Sequence, residues 1–313
     1  MTRRWAIRLL PVLLLAVAGW VMWREFRHVE PARIIDQIDH WGWGRIAFAG
    51  VMTLTSFGLL AVMEWLGLRW AGARVPFLAV ALGSFCANGI AHVTGTAVLV
   101  AGAVRYRLYS RHGANLSQVA ETTLFCIVGY SIGITELVGL SLMTAPDLGG
   151  AALRLSPLLT RSLGLALAAA PFVYVLACDR VRMPLRLFGR EYRLPSMRVA
   201  LAQLVIGLVD NVAVSAVIWV LIPPHLVSFP AFSAAYAAAT VTGVASAVPA
   251  GAGVFESAIL ALLPALPRDV LAAAFLGNRI IYYLGPLIVA GLILLQTGLA
   301  KRQATPPFED RGY

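Results

Sequence analysis

Two similar interrupted apolar segments restrict the fold of this chain more than any other feature. VTGTAVLVAGAV at residues 93–104 is followed, 148 residues further on, by VTGVASAVPAGAG at residues 241–253. Each segment is apolar but broken by small residues, and each lies at a similar place in its half of the chain. Alanine, valine and glycine are abundant, so composition accounts for part of the match. Broken hydrophobic segments at corresponding positions of two halves are typical of transporter-type membrane folds and of their central sites.

The composition excludes an ordinary soluble domain. Hydrophobic residues make up 59% of the chain and charged residues only 13%, whereas a soluble domain carries about a quarter charged residues. Apolar stretches of about 20 residues, which can cross a hydrocarbon core about 30 Å thick, occur several times. We therefore predict an all-α, polytopic integral membrane protein. We attribute the net charge of +10 to membrane topology and lipid contact rather than to nucleic-acid binding.

The uninterrupted apolar stretches predict single membrane spans. They lie at residues 5–22, 46–66, 117–143, 161–178, 198–221 and 270–298.

Residues 77–101 and 231–266 are too broken for single spans, because lipid cannot satisfy the backbone groups that a break exposes. We predict that they form two re-entrant helical hairpins. The chain then divides into a first transmembrane helix with a periplasmic amphipathic segment (1–45), a transmembrane domain (46–298) and a cytoplasmic tail (299–313).

The distribution of basic residues predicts the orientation. Seventeen of the 25 lysines and arginines lie in the two ends of the chain and in the loops 67–76, 102–116 and 179–198. Seven lie in the loops on the opposite side, and Arg279 lies inside a span. Because cytoplasmic loops carry the excess of positive charge, both termini should be cytoplasmic. The two hairpins would then enter the membrane from opposite faces, as an inverted repeat requires.

Five motifs occur in order along the chain. They are EWLGLRWAGARVPF (64–77), GAVRYRLYSRHG (102–113), RLFGREYRLPSMRVALAQL (186–204), VPAGAGVFES (248–257) and RIIYYLGPL (279–287).

Together these motifs resemble the transmembrane domain of the lysylphosphatidylglycerol synthase/flippase family, over about residues 45–298. The resemblance implies a multi-pass protein of the bacterial inner (plasma) membrane that moves an aminoacylated phospholipid between leaflets. Because only a short polar stretch, 299–313, follows residue 298 in this sequence, we expect no soluble transferase domain. The chain is therefore similar to the short stand-alone members, and we expect it not to synthesise aminoacyl lipid. The resemblance implies lipid handling more clearly than it implies which lipid.

Charged residues inside a membrane are costly, so each is a candidate functional residue. Asp210 could bind a cationic headgroup or a coupling proton, or it could be a structural partner of Arg279. Glu256 follows the glycine-rich break and complements the positive end of the next helix; the resemblance places it in a family signature. The amides of Gly251 and Gly253 could receive a phosphate, since exposed N–H groups at a helix start form an anion site.

Two arginines are candidates for phosphate contact. Arg279, three residues before Tyr282, could contact a phosphate or could pair with a buried acid. Arg105 and Tyr109 share one helix face and could capture an anionic headgroup, although ordinary positive-inside charge is an equal alternative. Glu136, about two turns inside its span, is expected to reach water.

The favoured hypothesis is a lipid translocase (flippase) without enzymatic activity, whose partners are membrane lipids, above all anionic or aminoacylated phospholipids. No HExxH, Walker A or Rossmann pattern occurs, so we expect no catalytic residue, cofactor or metal. One alternative is a membrane-embedded lipid-modifying enzyme that uses Asp210 with His92. Another is a non-transporting scaffold for a separate lipid synthase. A lipid synthase and a second copy of the chain are both compatible partners.

Overall fold

The computed structural model describes residues 31–94, 97–147, 155–180, 185–187, 190–192, 194–246 and 253–303, and most of them are helical. The predicted first span (5–22) and Gly251 lie outside the described residues. The helices are α1 (Pro31–Asp39), α2 (Trp43–Trp70), α3 (Phe77–Thr94), α4 (Ala97–Tyr109), α5 (Leu116–Thr144), α6 (Pro157–Arg180), α7 (Met197–Trp219), α8 (Phe229–Ala245), α9 (Val254–Leu262), α10 (Arg268–Asn278) and α11 (Gly285–Gln303). A π-helical segment, Arg279–Leu284, joins α10 to α11.

The structure confirms an all-α polytopic membrane protein. Within the described ranges, five helical stretches are long and apolar enough to cross a membrane. They are Trp43–Trp70, Leu116–Thr144, Pro157–Arg180, Met197–Trp219 and Arg268–Gln296, and each contains or closely matches a predicted span. In the basic loop after α6, strands β1 (Leu185–Leu187) and β2 (Arg190–Tyr192) pair antiparallel.

Each interrupted apolar segment forms a pair of short helices. In the first helix pair, α3 and α4 run antiparallel, since Val80 meets Tyr109 while Asn88 meets Arg105. The second helix pair, α8 and α9, packs together through Tyr236 and other apolar side chains. The first pair is longer than predicted, because α4 continues to Tyr109. The basic stretch that follows residue 101 is therefore part of the pair.

The order of elements repeats. A long helix, a pair of short helices and a second long stretch occur as α2–α5 and again from α7 to α11, with α6 between them. Corresponding elements start 152 to 157 residues apart. The first helices of the two halves cross antiparallel, because Ser56 of α2 meets Asp210 of α7 while Met63 lies near Ile206. This opposite direction is what an inverted repeat requires.

The two halves exchange contacts through their helix pairs. Helix α3 packs on α11, where Gly89 lies so close to Pro286 that a side chain would touch its carbonyl oxygen at 3.3 Å. Reciprocally, α8 of the second half packs on α5 of the first. Each helix pair thus rests on the last long stretch of the opposite half, and this packing brings the inner residues of both pairs into the centre of the bundle.

Helices α5 and α7 make the closest contact between the halves. A side-chain carbon built at Gly133 would lie 2.1 Å from the carbonyl carbon of Gly207, so the two backbones touch directly. Small residues permit this approach in membrane proteins, where close packing rather than the hydrophobic effect holds helices together.

The amphipathic segment that precedes α2 covers part of the bundle. Trp41 donates its indole N–H to the Leu221 carbonyl at 2.9 Å, and its ring fills the space beside Gly277. Ile38 packs with it against α10. The predicted amphipathic segment thus uses part of its apolar side for contact with the protein.

Candidate functional site

Polar side chains form three buried clusters inside the apolar bundle. We call them the Glu64 cluster (Glu64, Asn88, Arg105, Tyr109), the Asp210 cluster (Ser56, His92, Asp210, Tyr282) and the Glu256 cluster (Gly253, Glu256, Arg279, Tyr283). Charge inside a membrane is normally paired or functional, and these clusters contain most of the buried charged side chains among the described residues.

The Glu64 cluster is an ion pair sealed between α2 and the first helix pair. Arg105 donates from Nε to Glu64 Oε1 at 2.8 Å and from its Nη2 to Asn88 Oδ1 at 3.3 Å. The Tyr109 hydroxyl donates to the same Glu64 oxygen at 2.6 Å. Arg105 and Tyr109 share a helix face as predicted, but this face points into the protein. Arg107, two residues further on, is exposed.

The Asp210 cluster is a relay of hydroxyl groups. Ser56 donates to Asp210 Oδ1 at 2.5 Å, and its oxygen lies 2.9 Å from the Tyr282 hydroxyl. The Tyr282 ring stacks on the imidazole of His92, with ring centroids 5.2 Å apart and an interplanar angle of 13°. Tyr282 and Ser56 thus stand between the acid and the imidazole. Asp210 and His92, which we considered as a catalytic pair, share no hydrogen bond among these contacts.

The Glu256 cluster combines an ion pair with a helix cap. Arg279 donates from Nη2 to Glu256 Oε1 at 2.6 Å, while Glu256 Oε2 accepts the backbone N–H of Gly253 at 3.0 Å. The Arg279 guanidinium also lies 4.9 Å from the centroid of the Tyr283 ring. Gly253 has φ 80°, which glycine adopts at no steric cost. The acid that pairs with Arg279 is therefore Glu256, not Asp210.

The π-helical segment Arg279–Leu284 connects two of the clusters. Pro286 follows it; proline donates no backbone hydrogen bond and its ring crowds the carbonyl four residues earlier, which here belongs to Tyr282. The helix widens locally, as is frequent at functional sites. Consecutive side chains then serve different partners: Tyr282 reaches the Asp210 cluster and Tyr283 the Glu256 cluster.

Several buried polar atoms have no hydrogen-bond partner within the described part of the chain. They are Glu64 Oε2, His92 Nδ1, Glu136 Oε2, Asn211 Oδ1 and Asn278 Oδ1.

Leaving such an atom unpaired costs about 1–3 kcal/mol, so it indicates a place for water or a ligand. Two of these atoms belong to the clusters, and a third, on Asn211, is adjacent to Asp210. Glu136, which we expected to reach water, is buried in the bundle rather than exposed at its surface, so any water at its unpaired Oε2 lies inside the bundle.

The structure brings the predicted site residues together in three groups rather than one. Arg105 contacts Tyr109 through Glu64, Asp210 contacts Tyr282 through Ser56, and Glu256 contacts both Gly253 and Arg279. Gly251 lies outside the described residues. The residues that sequence reasoning missed are Glu64, Ser56 and Asn88.

Glu64 was detectable, because it is an acid two residues inside the end of the predicted span 46–66. Ser56 was not, since serine is common in apolar helices that have no polar partner. Among the residues that the structure describes, no three His, Cys, Asp or Glu side chains come together as a group that could hold a metal ion. The clusters can hold ionic groups or exchange protons.

Two proteins are similar to this chain over nearly its whole length. The uncharacterized protein slr0712 of Synechocystis sp. (strain ATCC 27184 / PCC 6803 / Kazusa) is 28% identical over 298 residues, which cover 87% of this chain and 92% of the relative. The inner membrane protein YbhN of Escherichia coli (strain K12) is 28% identical over 304 residues, which cover 94% of this chain and 91% of the relative. No family model matches the chain.

Proposed function

We propose that this chain is a flippase-like lipid translocase of the bacterial inner membrane, related to the lysylphosphatidylglycerol synthase/flippase family. Its similarity to the inner membrane protein YbhN supports the location. The five sequence motifs support the family. In this proposal both termini are cytoplasmic, so the first helix pair enters from the cytoplasm and the second from the outer side.

The observation that carries the proposal is that the three buried clusters are linked one to the next by contacts between their residues. Asn88 and His92, one turn apart on α3, link the Glu64 cluster to the Asp210 cluster. Tyr282 and Tyr283 link the Asp210 cluster to the Glu256 cluster. Polar groups thus follow one another through a bundle whose other contacts are mainly apolar.

Such a path suits the transfer of a lipid headgroup. A charged headgroup that crosses pure hydrocarbon loses its hydration without compensation, at a cost that keeps spontaneous flipping slow. Along the clusters the headgroup would meet donors and acceptors at each step, while its acyl chains stay in lipid. Arg279 could accept a phosphate through its planar guanidinium, and Asp210 or Glu256 could accept an amine. These roles favour phospholipids that carry both groups.

The test is a flipping assay with purified protein in vesicles. A phosphatidylethanolamine with a fluorescent acyl chain, which carries both a phosphate and an amine, is bleached by dithionite in the outer leaflet, and the protein-dependent fraction that becomes accessible from the inner leaflet is measured. We expect Asp210→Asn and Glu256→Gln to slow flipping, because each removes a charge from the path.

The matched control is Asp147→Asn, since this acid is exposed three residues beyond the end of α5. Equal rates for all three variants and the unmodified protein would refute the role of the clusters. Mass spectrometry on the same vesicles separates transport from chemistry: a new lipid product would indicate the lipid-modifying enzyme instead.

A further inference from the structure

A groove on the outside of the bundle lies next to the Asp210 cluster. It runs between α2 and α11 and has a volume of about 270 Å³. Its walls present apolar surface. The one hydroxyl among the lining residues, on Thr53, donates to the Ala49 carbonyl at 2.9 Å and is thus already satisfied. The groove therefore offers no polar atom to a headgroup.

Missing side chains create this groove. At Gly50 a side chain would meet no atom within 4 Å, so the position opens directly onto the empty space. On the opposite wall, Gly285 and Pro286 follow the π-helical segment, where the helix changes its course. Leu54 and Val289 stand at the sides of the groove and are exposed. In a membrane-spanning region these exposed side chains face hydrocarbon, so the groove opens to lipid.

One aromatic ring separates the groove from the polar path. Phe57 lines the groove together with Phe85, with their ring centroids 4.9 Å apart. Phe57 also packs against Tyr282 at 5.6 Å and against His92 at 5.8 Å, both of which belong to the Asp210 cluster. A molecule in the groove is thus one side chain away from the Ser56 hydroxyl and its partners.

We propose that the groove binds one acyl chain of the lipid whose headgroup occupies the Asp210 cluster. The volume lies below the roughly 300–1,000 Å³ of sites for drug-sized ligands, and it suits a segment of a single chain. The lining excludes the polar part of a lipid, because burying that part without hydrogen bonds is unfavourable. This inference rests on the proposed translocation for the position of the headgroup; the binding of the chain can be tested separately.

The experiment uses a photoactivatable lipid and two matched glycine variants of the full chain. A phosphatidylglycerol with a diazirine on one acyl chain is incorporated into phosphatidylethanolamine–phosphatidylglycerol vesicles that contain the protein. After illumination, lipid adducts are mapped by mass spectrometry of peptides. Gly50→Leu fills the groove. Gly58→Leu is the control, because it lies on the same helix, faces open space in the same way and does not line the groove.

We expect adducts to concentrate on the residues of the groove in the unmodified protein. Gly50→Leu should reduce these adducts about tenfold, which corresponds to about 1.4 kcal/mol, and Gly58→Leu should leave them unchanged. Adducts spread evenly over the lipid-facing sides of the helices, for example at Leu165 and Phe172 of α6, would overturn the proposal. So would groove adducts that Gly50→Leu does not reduce.

Two further readouts distinguish acyl-chain binding from lipid translocation, and a lipid in the groove from a segment of the chain itself. If groove adducts depend on Gly50 but the unmodified protein flips no lipid, the acyl-chain site stands and the translocase proposal fails. If flipping occurs and the groove adducts are absent, the reverse holds. A Val289→Cys variant that crosslinks to cysteines placed in residues 5–22, without any lipid adduct, would show the groove filled by the chain's own apolar segment and would overturn the lipid assignment.

Discussion

The two buried arginine–glutamate pairs of this protein are alike in chemistry and differ in their surroundings. In the Glu64 cluster the side-chain exposures of Arg105 and Glu64 are 8% and 1%, and Tyr109 and Asn88 complete the enclosure. In the Glu256 cluster both side chains retain about a tenth of their exposure, 11% and 10%. Both carboxylate oxygens of Glu256 are bound, whereas Glu64 Oε2 has no partner among the described residues.

This difference in exposure indicates which of the two ion pairs a lipid headgroup can reach. A headgroup can reach Arg279 only if the pair borders accessible space, and the Glu256 cluster does so more than the Glu64 cluster. The Glu64 cluster instead ties the first helix pair to α2 through a carboxylate that the bundle encloses. We infer that the Glu64 cluster mainly holds its end of the path together, whereas the Glu256 cluster exchanges partners with the headgroup. Four predictions test this comparison.

The largest effect is expected at Arg105. Replacement by methionine leaves the Glu64 carboxylate buried and unpaired, and breaking a buried pair in this way costs about 3–5 kcal/mol. The loss is measured as the free energy of unfolding in detergent. Arg107→Met is the control, because Arg107 is exposed on the same helix and its replacement should change stability by less than about 0.5 kcal/mol. Equal losses for the two variants would show that the Glu64 pair is not needed for the fold.

Removing both charges should restore most of that loss. The double variant Glu64→Leu/Arg105→Met replaces the pair with apolar groups, which is often neutral or stabilising in buried pairs. The two single variants and the double variant form a thermodynamic cycle whose interaction free energy should be large. Additive losses in the cycle would contradict an interaction between these two residues.

Glu256→Gln should reduce lipid transport strongly and stability only moderately. The glutamine oxygen can still accept one hydrogen bond, so we expect a stability loss of only about 1–2 kcal/mol, similar to the loss of a helix cap. Flipping should fall about tenfold, equivalent to about 1.4 kcal/mol in the barrier, because the path loses its charge beside Arg279. Glu64→Gln, measured in parallel, should lose more stability. A larger stability loss for Glu256→Gln than for Glu64→Gln would reverse our assignment of the two clusters.

Two tyrosine hydroxyls test the same comparison at the level of single hydrogen bonds. Tyr109→Phe removes a hydrogen bond to a carboxylate and should cost about 1.5–3 kcal/mol. Tyr282→Phe removes a bond to the neutral Ser56 hydroxyl, keeps the stacked ring beside His92, and should cost about 0.5–1.5 kcal/mol. Thermal unfolding of both variants in one detergent gives the comparison. Equal stability losses would indicate that the charge of Glu64 adds nothing to its hydrogen bonds.

Sequence patterns predicted the helices well because hydrophobicity alone determines where a chain crosses a membrane. The described spans and both interrupted segments lie where apolar length and helix-breaking residues placed them. The prediction of a loop after residue 101 was wrong for its first part, which belongs to α4. Several arginines in a short stretch indicate a polar loop when their buried partner is unknown. Glu64, more than 40 residues earlier, allows α4 to continue to Tyr109.

The sequence predicted several residues of the site but not which residues pair with each other. Asp210, Glu256 and Arg279 could be selected from sequence, because charges inside apolar stretches are conspicuous. Their partners depend on helix rotation and crossing, which a single sequence does not encode in any local pattern. The widening at Arg279–Leu284, which sends Tyr282 and Tyr283 to different clusters, arises from Pro286 and from packing together.

The direct contact between Gly133 and Gly207 has a mechanical consequence. With no side chain between α5 and α7, their spacing at this level is already minimal, so the two halves can tilt but cannot move closer. If the two halves move during the translocation that we propose, this contact is where we expect them to pivot. Tilting about a pivot moves the two ends of a lever in opposite senses, so one opening of the bundle should widen as the other narrows. A protein built on this plan would expose its polar path to the two leaflets in alternation, like a rocker switch.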